Sequence, residues 1–439
     1  MACATVGVVI CNYNKEQDVL ACIQSVLENR YTDYHLYVVD NASTDRSVEL
    51  IKDSFKNVSP DRLTLLVNSE NLGGSGGFNT GLRACLAAGH PYLMCVDNDA
   101  LLDENCIKAL KDFLQEHDNV GIAAAKIYHT SMPDIVQQFG SYIDWDNYCV
   151  DSTYLNHPED NSMPEVVYSD AVPACALMIK RSVVDRIGIM PEENFLYWDD
   201  TEWCIRCKEA GFAVASVASA QALHAMGARK EVTNTFPTYY AWRNQLVFFL
   251  NHLKESQLED FAECFLSSAF DVIYSGLYRK EPNKSKTVMA ALDDALHGIM
   301  GKAGPDRIFD LEFSYSALKN LMQNRERINL ITGDYPLYAE SLKERLEQMQ
   351  AGISVSFNDK SPAPGTVTLT LCESIFRNDD LSLSTVYMDL EGNLLVSEDD
   401  VLMVINYPYA KRSFLFAQTP LFLRLARQLR RESACDTQQ

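Results

Sequence analysis

The sequence predicts an α/β fold built on a parallel, doubly wound sheet. Two observations carry that expectation. Short apolar runs of strand length alternate with helical patterns through the first quarter of the chain, as βα units require. The fourth run, Tyr92-Leu93-Met94-Cys95-Val96, ends in Asp97-Asn98-Asp99. Two carboxylates thus stand at the carboxyl end of a buried strand, where open α/β sheets bind ligands.

Each element follows from its residues. Residues 5–11 form the first strand, and Asn14 is placed to cap a helix to about residue 29. Residues 36–40 form the second strand, with Ser43 as cap of a helix over about 44–55. Residues 63–67 form the third. A glycine-rich turn over 73–77 leads into a helix ending near Gly89, and Asp103 opens another helix after the fourth strand. The stretch 129–165 is polar and irregular, with five Asp between 134 and 160, and reads as an insertion or substrate-facing loop. Strand character returns at 176–180 and 213–217. Helical pattern fills about 248–329, and 328–331, 338–350 and 367–371 suggest a second, small α/β unit. The expected organisation is a catalytic domain over 1–250, a helical segment over 251–329, and a small α/β domain with a basic tail over 330–439.

Bulk properties bound the function. A hydrophobic share of 47% with 22% charged residues is ordinary globular composition. A net charge of −22 argues against nucleic acid, whose phosphates need a basic face. The most apolar helical stretch, 261–278, contains Glu263 and Asp271 and reads as a packed helix rather than a membrane span. The N-terminus enters a strand pattern without a basic segment or cleavage site, so no signal peptide is expected. Thirteen Cys, mostly single and at strand-like positions, fit reduced thiols in the cytoplasm. Cys204 and Cys207 have the C-x-x-C spacing but no second pair at zinc spacing.

Five patterns carry chemistry. Paired carboxylates such as Asp97 and Asp99 suit Mg²⁺ or Mn²⁺ shared with a diphosphate, against the blander reading of a solvated acidic turn. Asp40 ends the second strand, where it either accepts the imide N–H of a pyrimidine base or caps its own turn. The loop 68–77 offers backbone N–H groups to phosphate at a helix N-terminus, but it lacks the Lys of a P-loop. A second acidic cluster, Trp198-Asp199-Asp200-Thr201-Glu202, begins a helix. Acids are favoured there by the helix dipole alone. They also suit a base beside an aromatic platform for a sugar. His224 ends a later strand, where imidazole would complete a metal shell.

In this order the pieces resemble the inverting family 2 glycosyltransferases of GT-A fold, over roughly residues 5–250. The resemblance rests on the strand-end Asp40-Asn41-Ala42-Ser43-Thr44-Asp45, the Asn71-x-Gly73-Gly74 loop, Asp97-Asn98-Asp99, and Trp198-Asp199-Asp200-x-Glu202 with His224 downstream. Trp-Asp-Asp, followed by Tyr239-Tyr240-Ala241-Trp242-Arg243-Asn244, is most similar to the rhamnosyl- and galactofuranosyltransferase branch. The resemblance implies that Asp40 contacts the nucleotide base. It implies that Asp97, Asp99 and His224 hold Mn²⁺ or Mg²⁺ on the donor diphosphate, and that Asp200 is the general base. Asp199 and Glu202 are the next candidates for that base. Asn12, Asp40, Asn68, Gly73, Gly74 and Asp97 are the expected donor-binding residues, and Trp198, Tyr240 and Arg243 the acceptor-binding ones. Processive synthesis is not expected, since the Gln-x-x-Arg-Trp motif and membrane spans are missing from the sequence. Residues from about 330 onward match no nameable family.

The expected partners are a UDP- or TDP-linked sugar (rhamnose, galactofuranose or a related hexose) and a glycan or lipid-linked glycan acceptor of cell-surface polysaccharide synthesis. A homo-oligomer is compatible with this reading. The rivals are an inactive glycan-binding or scaffolding protein on the same fold, and a sugar-1-phosphate nucleotidyltransferase. The second would need a basic glycine-rich loop where Cys11-Asn12-Tyr13-Asn14-Lys15 stands. The tail places Leu421, Leu425 and Leu429 on one helical stripe with four Arg close by. Two placements are open for it: on an anionic inner membrane surface, or packed on its own domain with the Arg paired to acids.

Overall fold

The computed structural model describes residues 4–160, 162–225, 233–311, 316–377, 381 and 385–436. The chain divides into two compact units. The first comprises 1–232, 240–252 and 298–304, and the second comprises 233–239, 253–297 and 305–439. The helical segment and the small α/β segment, separate in the sequence reading, therefore fall mostly in one unit.

In the first unit the chain runs β1 (Val6–Asn12), α1 (Asp18–Leu27), β2 (Tyr34–Asp40), α2 (Ser47–Ser54), β3 (Leu63–Val67), α3 (Gly73–Ala88), β4 (Tyr92–Asp97), β5 (Ala100–Leu102) and α4 (Cys106–Glu116). It continues through β6 (Val120–His129), β7 (Met132–Gln138), β8 (Ser141–Asp144), β9 (Cys149–Ser152), β10 (His157–Pro158), β11 (Val166–Ser169), β12 (Ala176–Lys180), α5 (Arg181–Ile187), α6 (Asp199–Glu209) and β13 (Ala213–His224). Helix α7 (Phe236–His252) follows, and its residues from Tyr240 onward belong to this unit.

The sheet order is β10-β7-β6-β12-β4-β1-β2-β3, with β13 pairing β6, β5 and β11. Strands β3, β2, β1 and β4 are parallel. Connection direction reverses between β1 and β4, which opens a crevice beyond their carboxyl ends. The register brings chemistry to that edge: Asn12 pairs with Asp40, and Cys11 with Asp97. Strands β1, β2 and β4 are buried on both faces. Val6, Val8, Ile10 and Val38 fill one core layer, while Val9, Val39, Leu93 and Cys95 fill the other.

The structure departs from expectation in several places. β12 lies antiparallel between β4 and β6, which a bare apolar run does not reveal. The polar stretch 129–165 contains β7, the β8–β9 hairpin and β10 rather than an irregular loop. Asn14 does not cap α1: its Oδ1 accepts from the backbone of Thr44 at 2.7 Å. Ser43 does not cap α2: its Oγ accepts from the backbone of Asn14 at 3.0 Å.

The second unit contains α8 (Leu258–Arg279), α9 (Pro282–Leu296), α10 (Ser316–Met322), β14 (Arg327–Ile331), α11 (Pro336–Met349), β15 (Ser354–Phe357), β16 (Val367–Cys372), β17 (Val386–Asp389), β18 (Leu394–Leu395) and α12 (Glu398–Asp436). Its sheet runs β15-β14-β16-β17-β18, parallel except for β18. Helix α8 buries Phe261, Phe265 and Phe270, as a packed helix does. No helix among the described residues is long and apolar enough to cross a membrane. On α12, Phe422 and Ala426 are buried, and Phe422 meets Phe261 with ring centroids 6.2 Å apart. Arg427 pairs with Glu255 at 2.7 Å and Arg430 with the same carboxylate at 3.6 Å. The stretch from Phe422 to Arg430 thus packs on its own unit, while Leu421 is exposed.

Candidate active site

Asp97, Asp99 and His224 converge at the crevice. One ligand atom from each lies within 4.8 Å of the others. The backbone enforces this, because β13 pairs His224 with Ala100 and the Ala225 amide donates to the Asp99 carbonyl. His224 Nε2 lies 3.1 Å from Asp99 Oδ1 and 3.7 Å from Asp97 Oδ2. Burial would lower the His224 pKa, but its hydrogen bond to Asp99 and the two acidic charges raise it. Burial pushes Asp97 up to about 6 despite His224. Burial would raise Asp99 too, but His224 and Lys15 hold it below the usual carboxylate range.

The donor set fits a divalent cation. His224 Nδ1 faces Gln137 Oε1 at 2.8 Å, and Gln137 Nε2 reaches His129 Nδ1 at 3.2 Å and the His224 carbonyl at 3.3 Å. A carbonyl only accepts, so it fixes the amide: Nε2 donates there and Oε1 accepts from His224 Nδ1–H. Nε2 thus faces the two acids, donating to Asp99 while protonated and offering its lone pair to a cation once deprotonated, as metal ligation needs. Two carboxylates and one imidazole suit Mn²⁺, and suit Mg²⁺ with fewer protein ligands. Lys15 Nζ holds Asp99 Oδ2 at 3.1 Å and Asp18 at 3.4 Å. Gln137 and Lys15 went unnoticed in the sequence, Gln137 because it sits in the stretch read as irregular.

The second acidic cluster rests on a strained turn. Phe195, Tyr197 and Trp198 have φ of 64°, 63° and 64°. Side chains rarely adopt that region unless their surroundings hold them there. Asn244 Nδ2 lies 2.9 Å from the Asn194 carbonyl, 2.7 Å from that of Leu196 and 3.0 Å from that of Tyr197. The Arg243 guanidinium donates to the carbonyls of Gly301, Glu193 and Asn194. Phe195 stacks on Tyr240 at 5.0 Å. Arg243 and Tyr240 are therefore not acceptor contacts here. Both are fully buried, and the Tyr240 hydroxyl accepts from the Ala303 amide. Trp198 is half-buried against Phe248, with centroids 5.1 Å apart, while Tyr197 is the more exposed ring.

Asp199 and Asp200 open α6 directly after this turn. Asp200 accepts from the Thr201 amide at 2.7 Å and the Ala174 amide at 3.2 Å. Burial raises its pKa, and these backbone donors offset part of the rise. Burial and the Asp200 charge push Asp199 up to about 7. Glu202 points elsewhere. It accepts from His252 at 2.8 Å and Arg206 at 3.0 Å, so it is a paired carboxylate and not a free base.

The expected donor-side residues form a scaffold. Asp40 is fully buried, accepting from Asn12 Nδ2 at 3.2 Å and from the Ser43 amide at 2.9 Å. Asn12 accepts in turn from Asn98 at 2.9 Å. Asn41, missed in the sequence, is the hub: it accepts from Asn68 and the Leu72 amide and donates to the Gly73 carbonyl. The glycine loop is not an open phosphate cradle. The Gly73 amide donates to Asn71 and the Gly74 amide to Phe195 O at 2.7 Å. Gly73 has φ of 79°, and a Cβ there would stand 2.1 Å from Phe195 O. This loop serves as a seat for the strained turn.

Residues 7–187 match the family described as Glycosyl transferase family 2. The chain is similar to the dTDP-rhamnosyl transferase RfbF of Shigella flexneri, 24% identical over 319 residues, covering 68% of this chain and 97% of that protein. It is also similar to Glycosyltransferase GlyG of Streptococcus pneumoniae serotype 4, 29% identical over 33% of this chain and 46% of that protein. Among solved structures it is similar to GalNAc-T7 with UDP, GalNAc and Mn²⁺, with a TM-score of 0.48, 13% identity, and coverage of 59% of this chain and 50% of that chain.

Proposed function

Because the chain carries a glycosyl transferase family 2 domain, we propose that it is a metal-dependent, inverting hexosyltransferase. The donor is a UDP- or TDP-linked sugar, with rhamnose or galactofuranose the leading candidates. The acceptor is a hydroxyl of a glycan or lipid-linked glycan in cell-surface polysaccharide synthesis. The observation that carries this reading is the placement of Asp97, Asp99 and His224 within 4.8 Å of one another at the sheet edge.

Asp200, held by two backbone amides, takes the proton from the acceptor hydroxyl. The hydroxyl oxygen bonds to the anomeric carbon from the face opposite the leaving group. The bond from that carbon to the diphosphate oxygen breaks, and the nucleoside diphosphate departs with the electron pair. Attack from the opposite face inverts the anomeric configuration. A bound Mn²⁺ or Mg²⁺ would offset charge gathering on the diphosphate. Asp97, Asp99 and His224 would hold it. Tyr197 and Trp198 border the acceptor side.

A panel of UDP- and TDP-sugars incubated with Mn²⁺, then with EDTA, tests the reading. Metal-dependent release of nucleoside diphosphate from one donor is expected, with transfer giving the inverted anomer by NMR. Binding of glycans without turnover of any donor would instead favour the scaffolding reading.

A further inference from the structure

Helix α12 presents a face that its own unit does not cover. Leu402, Ile405, Tyr409 and Phe416 lie on one helical stripe and are all exposed, Phe416 to 86%. The stripe is distinct from the one expected at Leu421, Leu425 and Leu429. Leu425 and Leu429 are half-buried beside Phe422 and Ala426. On the exposed stripe the apolar residues give way to Arg412, Arg424 and Arg431, which are also exposed.

The charge along this helix is segregated. From residue 401 to 431 there are six Lys and Arg and no Asp or Glu, in a chain of net charge −22. Some of these cations are matched within the unit: Lys411 by Asp271 at 2.7 Å, and Arg427 by Glu255 and Glu259. Arg412 and Arg424 form no ion pair among the described residues. A groove of about 1000 Å³ runs alongside, lined by Tyr407, Lys411, Arg412, Leu415, Phe416 and Leu423, with Glu263 also in its wall. Pro408 and Pro420 lie inside the continuous helix within this stretch.

The geometry points to this face of α12 as a docking surface for an anionic phospholipid bilayer. Exposed aromatic and aliphatic side chains interleaved with Arg match an acyl–headgroup boundary. The cations are complementary to anionic headgroups, while the acidic remainder of the surface is repelled by them. A symmetric contact with a second copy is disfavoured, because a two-fold would lay this Arg-bearing face on its own copy and bring cations against cations. This inference does not depend on the catalytic reading, and its test reads no turnover.

The full-length protein is floated with vesicles of phosphatidylcholine alone or mixed with phosphatidylglycerol. The wild type should float with the mixed vesicles at low salt and lose this at high salt. Ile405→Ser with Phe416→Ser, and separately Arg412→Glu with Arg424→Glu, should each cut the bound fraction at least tenfold. Leu337→Ser, which alters an equally exposed apolar residue on α11, should not. Because the altered side chains are exposed, melting temperatures should match the wild type. No flotation of the wild type, or equal flotation of wild type and both double variants, would overturn the proposal. So would a concentration-dependent dimer that Phe416→Ser dissolves, which would make the face a self-interface.

Discussion

Gln137 Oε1 accepts the Nδ1 proton of His224 at 2.8 Å, and the His224 carbonyl locks that amide in its orientation. The pair decides which nitrogen of the ring faces Asp97 and Asp99. Removing such a partner of a metal-ligating histidine typically costs about 10–100-fold in affinity. Gln137→Leu should therefore weaken Mn²⁺ binding by about that factor, measured by the EPR signal of free Mn²⁺. Gln137→Glu retains an acceptor for Nδ1–H and should lose less. Equal affinity in all three proteins would remove Gln137 from the metal site.

Asp200→Asn should abolish transfer while leaving donor binding nearly intact, since the base acts on the acceptor. Loss of a positioned base costs on the order of 10²–10⁴ in rate. Asp199→Asn is the necessary comparison, because burial and Asp200 push Asp199 up to about 7. If transfer survives in Asp200→Asn and fails in Asp199→Asn, with donor affinity intact in both, the base is Asp199.

Glu202 and His252 form an ion pair at 2.8 Å, each side chain only 13% exposed. Burial would lower His252, but Glu202 and Glu209 raise it above 6.5. A raised histidine contributes its full stability below about 6.5 and loses it as pH climbs through the folded value. Burial would raise Glu202, but His252 and Arg206 hold it below 4.5. A depressed carboxylate contributes fully above about 4.5 and loses it as pH falls through the folded value. The pair is thus strongest between about 4.5 and 6.5. Glu202→Gln should cost about 1–3 kcal/mol there, since a buried partner loses its charge-assisted hydrogen bond. Melting curves of wild type and variant should draw together in alkaline solution. A gap that widens as pH rises above 7 would show that the pair does not act this way.

Strands β1, β2 and β4 of the parallel half were legible because they are buried on both faces and end in polar residues, as Val38-Val39-Asp40 and Cys95-Val96-Asp97 show. Strand direction was not legible, since Ala176–Lys180 is as apolar as the parallel strands of the sheet yet runs antiparallel to β4 and β6. The metal candidates were legible one at a time, each at a strand end. Their hydrogen-bonded support was not: Gln137 lies 87 residues from His224 and reaches it only through the pairing of β6 with β7 and β13. Local cap rules misplaced Asn14, whose side chain serves backbone 30 residues away. Arg243 was expected at the acceptor from the resemblance of residues 239–244 to a family branch. Its burial, invisible in sequence, gives it to backbone carbonyls instead.

Asn244 gives the sharpest separation of stability from activity. Its buried amide holds the carbonyls of Asn194, Leu196 and Tyr197, on either side of residues whose left-handed backbone leads into Asp199 and Asp200. Asn244→Ala would leave those carbonyls with poorer partners, at about 1–3 kcal/mol. It would also let part of the strain at Phe195, Tyr197 and Trp198 relax, recovering about 1–3 kcal/mol in all, while Gly74 and Arg243 still hold the rest of the turn. The two effects oppose, so the melting temperature should move by only a few degrees. Asp199 and the proposed base Asp200 would move with the turn, and displacement of a catalytic group by about 1 Å costs on the order of 10² in rate. The expected result is kcat/KM lower by about that factor with nucleotide Kd and fold stability close to wild type. Asn244→Asp should be worse than alanine, because a carboxylate would face three carbonyl oxygens. Wild-type kcat/KM in Asn244→Ala would mean that Gly74 and Arg243 hold the turn without it.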